Sequence, residues 1–466
     1  MTLMKSLLLG SAATLVVVAG AQAADLPTRK GAPAAEYVKV CKIDGMAGFV
    51  IPGSDTCLKI TGYLTAQVEA GTFSQGYAFT TAAAGGGPGS QIGQTLYTAT
   101  PTNTRNQIGW TTRAEIELIT KTNTAYGVLT SDIDTQWNYG SGFDNTGPNT
   151  FGGSQTFINH GFLNWAGITA GKANSFFSFF GGGEAWANIF SPDRQGFNQP
   201  LLLAYTATFG GGFSATISLE DPVLTGGSGG GTTMAFAGNA TYLGQQAPDI
   251  VASVDLVQGW GGAHIAGVAH NVRMSDLSTV VADTNNIDKW GWAIDGGVKF
   301  NLPSLGAGDN IQLQGVWTRN AIWYSGIPDA MWGENGAVNG NGISMPVADA
   351  FANGDGTWAT PEAWSVTALG EFHLGPTFSI DPEISYAGLH WSGVSTGLIS
   401  ADSESWIGGA VFHWDPVAHL DFNLELLYQN THQDTPAAYS AAANGGLAWK
   451  ANTDGLEGRL NITRDF

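Results

Sequence analysis

Charge is scarce in this chain. Charged residues make up 12% of the 466, about half the usual share of a soluble domain. Bases are scarcer still: 18 Lys and Arg stand against 38 Asp and Glu, a formal net charge of −20. Nucleic acid is therefore excluded as a partner, because it demands a basic footprint. Cysteine is limited to Cys41 and Cys57, and no Cys/His cluster has zinc spacing. H-E-x-x-H is absent, and neither a catalytic group, a metal nor a cofactor is expected. Beyond the N-terminus no run of some 18 apolar residues occurs, so no transmembrane helix is visible. A closed β-barrel escapes that test, because its strands alternate and hydropathy averages miss them.

Other residue types are abundant. Hydrophobic residues are 43%, which excludes disorder across the whole chain. Glycine is 66 residues, roughly twice its ordinary share, and tryptophan is 16. The N-terminus carries Lys5, an apolar core from Leu7 to Ala19, and the small-x-small triplet Ala21-Gln22-Ala23. These are the parts of a signal peptide over 1–23, cleaved after Ala23. Both cysteines lie in the exported part. That favours an oxidised Cys41–Cys57 pair over two unrelated buried thiols.

The dominant signal is period two. From Leu456 onward, Leu456, Gly458, Leu460 and Ile462 share one face, while Glu457, Arg459, Asn461 and Thr463 share the other. Leu420, Phe422, Leu424, Leu426 and Tyr428 oppose Asp421, Asn423, Glu425 and Gln429, with Leu427 the exception. Trp290, Trp292, Ile294, Val298 and Phe300 oppose Lys289, Asp295 and Lys299. Such alternation marks strands with one oily and one polar face. The segments exceed the usual five or six residues and match a tilted bilayer crossing.

About sixteen such strands are expected: near 58–69, 108–121, 125–137, 157–165, 168–180, 200–209, 213–220, 250–259, 262–273, 289–301, 309–323, 364–374, 377–391, 404–414, 418–430 and 455–466. The 157–165 and 309–323 segments alternate poorly. Tight turns such as Gly210-Gly211-Gly212 alternate with long connections such as 70–107, 138–156 and 181–199. Short turns on one rim and long loops on the other are the outer-membrane barrel pattern. Tryptophans near the strand ends, among them Trp110, Trp137, Trp260, Trp391 and Trp414, suit two interfacial girdles. The expected fold is all-β: a transmembrane antiparallel barrel over 58–466, preceded by a periplasmic segment over 24–57 that carries the cysteine pair. A secreted β-sandwich with adhesive or binding function is the alternative from another class. Buffer alone would extract it.

Five stretches then carry a resemblance: EYVKVC at 36–41, IPGSDTCLKITGY at 51–63, ITAGKANSFF at 168–177, DIVASVDLVQGWGGAHIAGVAH at 249–270, and the terminal Phe466. With these the chain resembles the porins of alphaproteobacterial outer membranes. The resemblance implies a sixteen-stranded homotrimeric channel for passive diffusion of small hydrophilic solutes and ions. It places the channel in the outer membrane, among lipid and lipopolysaccharide. It also implies a third long loop, here about 181–199, that folds inward and narrows the pore. Phe466 becomes the assembly signal read by the barrel-insertion machinery.

Diffusion requires a wet lumen, a constriction and charges. The loop supplies Glu184, Asp193 and Arg194, and the facing wall supplies Arg113, Glu115, Glu117, Asp132, Asp134, Lys172 and Lys299. The loop is charge-poor and rich in Phe and Gly, a departure from porins with a strong transverse field. The acid excess points to mild cation preference. Exposed loops holding most of that excess would leave the pore neutral. A substrate-specific channel for a sugar or peptide is the alternative, with Phe176, Phe177, Phe179 and Phe180 as an aromatic slide.

Overall fold

In a computed structural model of the chain, the described residues are 39–71, 77–78, 100–101, 108–141, 152–179, 191, 199–222, 240–276, 286–327, 349–353, 357–393, 402–435 and 451–466. Among the described residues, sixteen strands form the wall. In chain order these are β1 (Cys57–Gly71), β2 (Ile108–Thr124), β3 (Gly127–Ser141), β4 (Gly152–Trp165), β5 (Ile168–Lys172), β6 (Leu201–Gly210), β7 (Phe213–Glu220) and β8 (Asp249–Gln258). They continue as β9 (Gly261–Asp276), β10 (Asn286–Asn301), β11 (Asn310–Arg319), β12 (Trp358–His373), β13 (Phe378–Ser392), β14 (Ser403–Val417), β15 (Leu420–Gln433) and β16 (Asn452–Asp465). Each pairs antiparallel with the next, and β16 pairs with β1 from Glu457↔Gly71 to Asp465↔Tyr63. The sheet is therefore a closed barrel with no free edge in the wall. The terminal residue completes the seam: Phe466 N donates to Gly62 O (3.0 Å) and Thr61 Oγ1 donates to Phe466 O (2.7 Å).

The faces are inverted relative to a soluble protein. On β10, Trp290, Trp292 and Ile294 are exposed outward while Ala293 and Asp295 are buried inward. On β15, Leu424 and Leu426 face out while Asn423, Glu425, Leu427 and Gln429 are buried. Outward aromatics gather at both rims. Trp364–Tyr386 and Trp406–Tyr428 (each 5.1 Å between centroids) lie toward the long loops. Trp260–Phe300 (5.7 Å) and Trp414–Phe422 (5.2 Å) lie toward the short turns. Amphipathic rings favour these depths because one side is oily and the other wet. Trp391 departs from the expected girdle, being buried inward on β13.

Two expected strands differ in detail. β5 ends at Lys172, well short of 180, because Ser175 and Phe176 are captured by Glu220 on β7. The strand expected over 309–323 ends at Arg319 and gives way to a 3-10 turn at Ile322–Ser325. The poor alternation near 157–165 has a local cause. The β3–β4 register shifts between Asp134 and Thr135, leaving Asn159 as an extra residue, so Ile158 and Leu163 both face out. The tight turn Gly210-Gly211-Gly212 has positive φ throughout (81°, 61° and 83°), which glycine adopts without strain.

Before the barrel, a hairpin of Val40–Ile43 and Met46–Val50 pairs with the start of β1. A disulfide joins Cys41 and Cys57, with Cα atoms 5.8 Å apart. Closing a loop of this length stabilises by about 3 kcal/mol on the chain-entropy model. Reduction is expected to lower the heat-unfolding midpoint, followed by gel mobility, and to leave channel conductance unchanged. An unchanged midpoint would show that the bond constrains nothing.

Candidate functional site

The inner wall is polar because the lumen replaces a dry core. On β3, Asp132, Asp134, Gln136 and Asn138 point inward between the outward Ile133, Trp137 and Tyr139. β2 presents Arg113, Glu115 and Glu117 beside them, in register with Asn138, Gln136 and Asp134. Arg113 Nε donates to Asn138 Oδ1 (2.9 Å), and Gln136 Nε2 donates to Glu115 Oε2 (2.6 Å). The bulged Asn159 donates Nδ2 to Asp134 Oδ2 (2.6 Å), and His160 Nδ1 lies 3.7 Å from the same oxygen. Lys172 Nζ donates to Asn159 O (2.6 Å), so it sits next to this group. Lys299 lies apart on β10, in register with Gln312 of β11. Glu184, Asp193 and Arg194 lie outside the described residues.

A second feature is an apolar patch on the inner face, where polar residues belong. Val251, Ala266, Val268, Ala293 and Val316 occupy inward positions on the adjoining strands β8 to β11. Phe177 and Tyr324, from two different long connections, cover them and meet edge to face at 4.8 Å. Phe179 stacks on the His264 ring (5.6 Å) and lies over Gly297, where an added Cβ would come within 2.3 Å of the phenyl ring. His264 Nδ1 lies 2.6 Å from Asp255 Oδ1, and Nε2 lies 3.2 Å from Phe177 O. Nearer the strand ends, Ser175 Oγ donates to Glu220 Oε2 (2.6 Å) and Phe176 N to Glu220 Oε1 (3.1 Å). Phe176 packs on Leu202 and Ala204, again at inward positions, of β6. Farther along the same connection, Ser191 Oγ donates to Gln314 Oε1 of β11 (2.9 Å).

The connection after β11 is pinned by buried polar groups. Tyr324 Oη donates to Asp249 Oδ2 (2.6 Å), and His270 Nδ1 lies 2.8 Å from Asp249 Oδ1. Asp349 accepts from Ile322 N (3.0 Å) and from Tyr242 Oη (2.7 Å), with His270 Nε2 3.5 Å away. Burial, with the Asp349 charge beside it, pushes the Tyr242 hydroxyl well above its usual range, so it remains a donor. Each polar group is matched, as burial requires. The phenylalanines expected as a solute slide are instead docking residues where they are described. Phe177 is buried against the wall and Phe179 is stacked, while Phe180 lies outside the described residues.

A third group escaped the sequence reading. Arg459 on β16 is buried among Glu457 (Nε–Oε1 2.6 Å), Glu69 of β1 (3.6 Å) and Glu425 of β15 (Nη1–Oε2 3.9 Å). All four had inward parity, the one signal available. Their meeting depends on the β15–β16–β1 registers across the seam.

The porin-subfamily family model matches residues 25–455. Porin Omp2b of Brucella suis is 30% identical over 424 residues, covering 87% of this chain and 98% of its own. Porin Omp2b of Brucella canis matches to the same extent. Among solved structures, the outer membrane channel DcaP of Acinetobacter baumannii superposes with a TM-score of 0.55 at 14% identity, over 90% of this chain and 100% of that one. At that identity the likeness concerns the fold alone.

Proposed function

Because the chain belongs to the porin subfamily and is a channel of the outer membrane, we propose that it passes small hydrophilic solutes and ions by passive diffusion through a narrowed, mildly cation-selective lumen. The observation that carries this reading is the closed barrel with oily residues outside and charged rows inside, together with an apolar inner patch covered by Phe177 and Tyr324. A loop that docks on the inner wall takes up lumen cross-section. The segment 181–199 is the proposed constriction, since Phe177 and Phe179 just before it and Ser191 within it touch inward residues. The connection after Arg319, tied to Asp249 by Tyr324 and to Tyr242 by its own Asp349, is proposed to share that role. Membership of the porin subfamily supports reading the chain as a channel rather than an enzyme. G-x-S-x-G does occur at 226–230 and 393–397, but spelling alone carries no weight outside a strand-to-helix elbow.

The charge balance of the wall supports cation preference. Inward acids such as Glu69, Asp132, Asp134, Asp295, Glu425 and Glu457 outnumber inward bases such as Arg113, Lys289, Lys299 and Arg459. Carboxylates in a narrow wet passage raise local cation concentration. Purified protein in a planar bilayer under a potassium chloride gradient is expected to show a zero-current potential of cation-selective sign. The preference should weaken in concentrated salt, because the screening length falls from about 10 Å at 0.1 M to about 3 Å at 1 M. Anion-selective potentials would overturn the charge assignment. Absence of stepwise conductance would overturn the diffusion channel. Three-step closures would support the homotrimer, which rests on the family resemblance. Lipid and lipopolysaccharide around the girdles, and recognition of Phe466 by the insertion machinery, belong to the same reading.

A further inference from the structure

We propose that the two segments docked inside the barrel, residues 175–179 after β5 and residues 322–327 after β11, form one coupled gate whose halves dock and release together. The proposal rests on the channel reading above and goes further by making release a single event of both segments.

A closed ring of contacts joins the halves through the wall. Glu220, the last residue of β7, accepts from Ser175 Oγ (2.6 Å) and from Phe176 N (3.1 Å). Ser175 Oγ in turn accepts from Phe177 N (3.1 Å), so the carboxylate sets the place of that phenylalanine. Phe177 meets Tyr324 of the second half edge to face at 4.8 Å. Tyr324 Oη donates to Asp249 Oδ2 (2.6 Å). Asp249 stands directly across from Glu220 in the β7–β8 register, which closes the ring.

The two connections also touch at a second point. Gly326 has a φ of 73° and lies against the backbone of Ser191, where an added Cβ would come within 2.4 Å of Ser191 N and C. Ser191 belongs to the connection that residues 175–179 open, and its Oγ is tied to Gln314 of β11.

Burial makes the release joint. Glu220, Asp249, Phe177 and Tyr324 are all buried. Each half supplies donors to one of the two facing carboxylates. The second half has a further tie, because Asp349 accepts from Ile322 N (3.0 Å) and lies 3.5 Å from His270 Nε2. Hydrogen bonds to carboxylates are strong in this setting because water is kept out. Release of either half takes away the other half's aromatic partner and backbone support, and admits water to the facing carboxylate. The half that remains is then held by weakened bonds and half an aromatic pair. Docked and released are the two discrete arrangements that such a packed pair adopts.

The test is single-channel recording of the full-length protein in a planar bilayer, with gel mobility before and after heating to confirm that each variant's barrel is folded. Ser175→Ala removes a donor to Glu220 from the first half alone. Tyr324→Phe removes the donor to Asp249 from the second half alone. Gly326→Ala forces the connections apart where they touch. All three are expected to populate the same higher-conductance level, each spending at least about fivefold more time there than wild type. Combining Ser175→Ala with Tyr324→Phe should lengthen those visits without adding a level. Different levels for Ser175→Ala and Tyr324→Phe, with both seen in the combined variant, would mean independent halves and would overturn the proposal. So would folded variants that show no new level. If one variant fails to fold, the other two still decide, because Gly326→Ala bears on both halves. A wild type that never conducts refutes the channel reading beneath the proposal, whereas a conducting wild type whose variants open to different levels refutes the coupling alone.

Discussion

Ile294→Arg is expected to destabilise the barrel by about 2–4 kcal/mol and to cut its yield in the outer membrane, since an arginine on the lipid face near mid-bilayer carries that cost. Ile294 is 55% exposed and mid-strand on β10, and its neighbour Asp295 is wholly buried on the lumen side. In a soluble protein the same change would be mild, because a surface isoleucine replaced by arginine gains water. Here the side chain meets acyl chains, and its guanidinium must either climb to an interface or draw water inward. Leu424→Arg on β15, also outward, should behave alike. Ile294→Leu is the control that keeps the surface apolar. The measurement is denaturant unfolding of barrels refolded into lipid vesicles, alongside outer-membrane yield. Wild-type stability for both arginine variants would mean that the exposed rows do not face lipid, and the barrel interpretation would fall with them.

Phe177→Ala and Tyr324→Ala are expected to raise single-channel conductance and current noise while leaving the strand ladder intact. Each removes an aromatic ring from the cluster over Val251, Ala266, Val268, Ala293 and Val316. Truncating a buried aromatic costs about 3–5 kcal/mol, enough to undock a segment held by a few such contacts. Tyr324→Phe keeps the ring and deletes the donor to Asp249 Oδ2. It should cost about 1–3 kcal/mol, the penalty for a buried acceptor left short of a donor, and should change conductance less than Tyr324→Ala. Single-channel recording distinguishes these cases. Unchanged conductance in both alanine variants would mean that the docked segments do not limit flow.

The barrel was legible because two-faced strands state their own parity. Each residue's face follows from its neighbours two positions away, and turns such as Gly210-Gly211-Gly212 mark where the direction reverses. Departures arose where a distant group overrode the local pattern. The segment after Lys172 has the composition of a strand, yet Glu220 draws Ser175 and Phe176 off the ladder. One extra residue at Asn159 reversed the phase of β4, which looked like weak alternation. The inward apolar residues Val251, Ala266, Val268, Ala293 and Val316 were the signal for loop docking. Read singly, each passes for an imperfection in its strand; only their adjacency across four strands makes a patch. Of the expected site, Arg113, Glu115, Glu117, Asp132, Asp134 and Lys172 come together and Lys299 stands apart.

Sequence alone determined the two faces of most strands, their number, the alternation of short and long connections, and the acid excess. All of these are set by residues close together along the chain. Tertiary structure decided which inward residues meet: Arg459 among three glutamates across the seam, Glu117 opposite Asp134, and Phe177 against Tyr324. The reason is that strand register and loop course couple positions tens to hundreds of residues apart, and period-two alternation carries no information at that range.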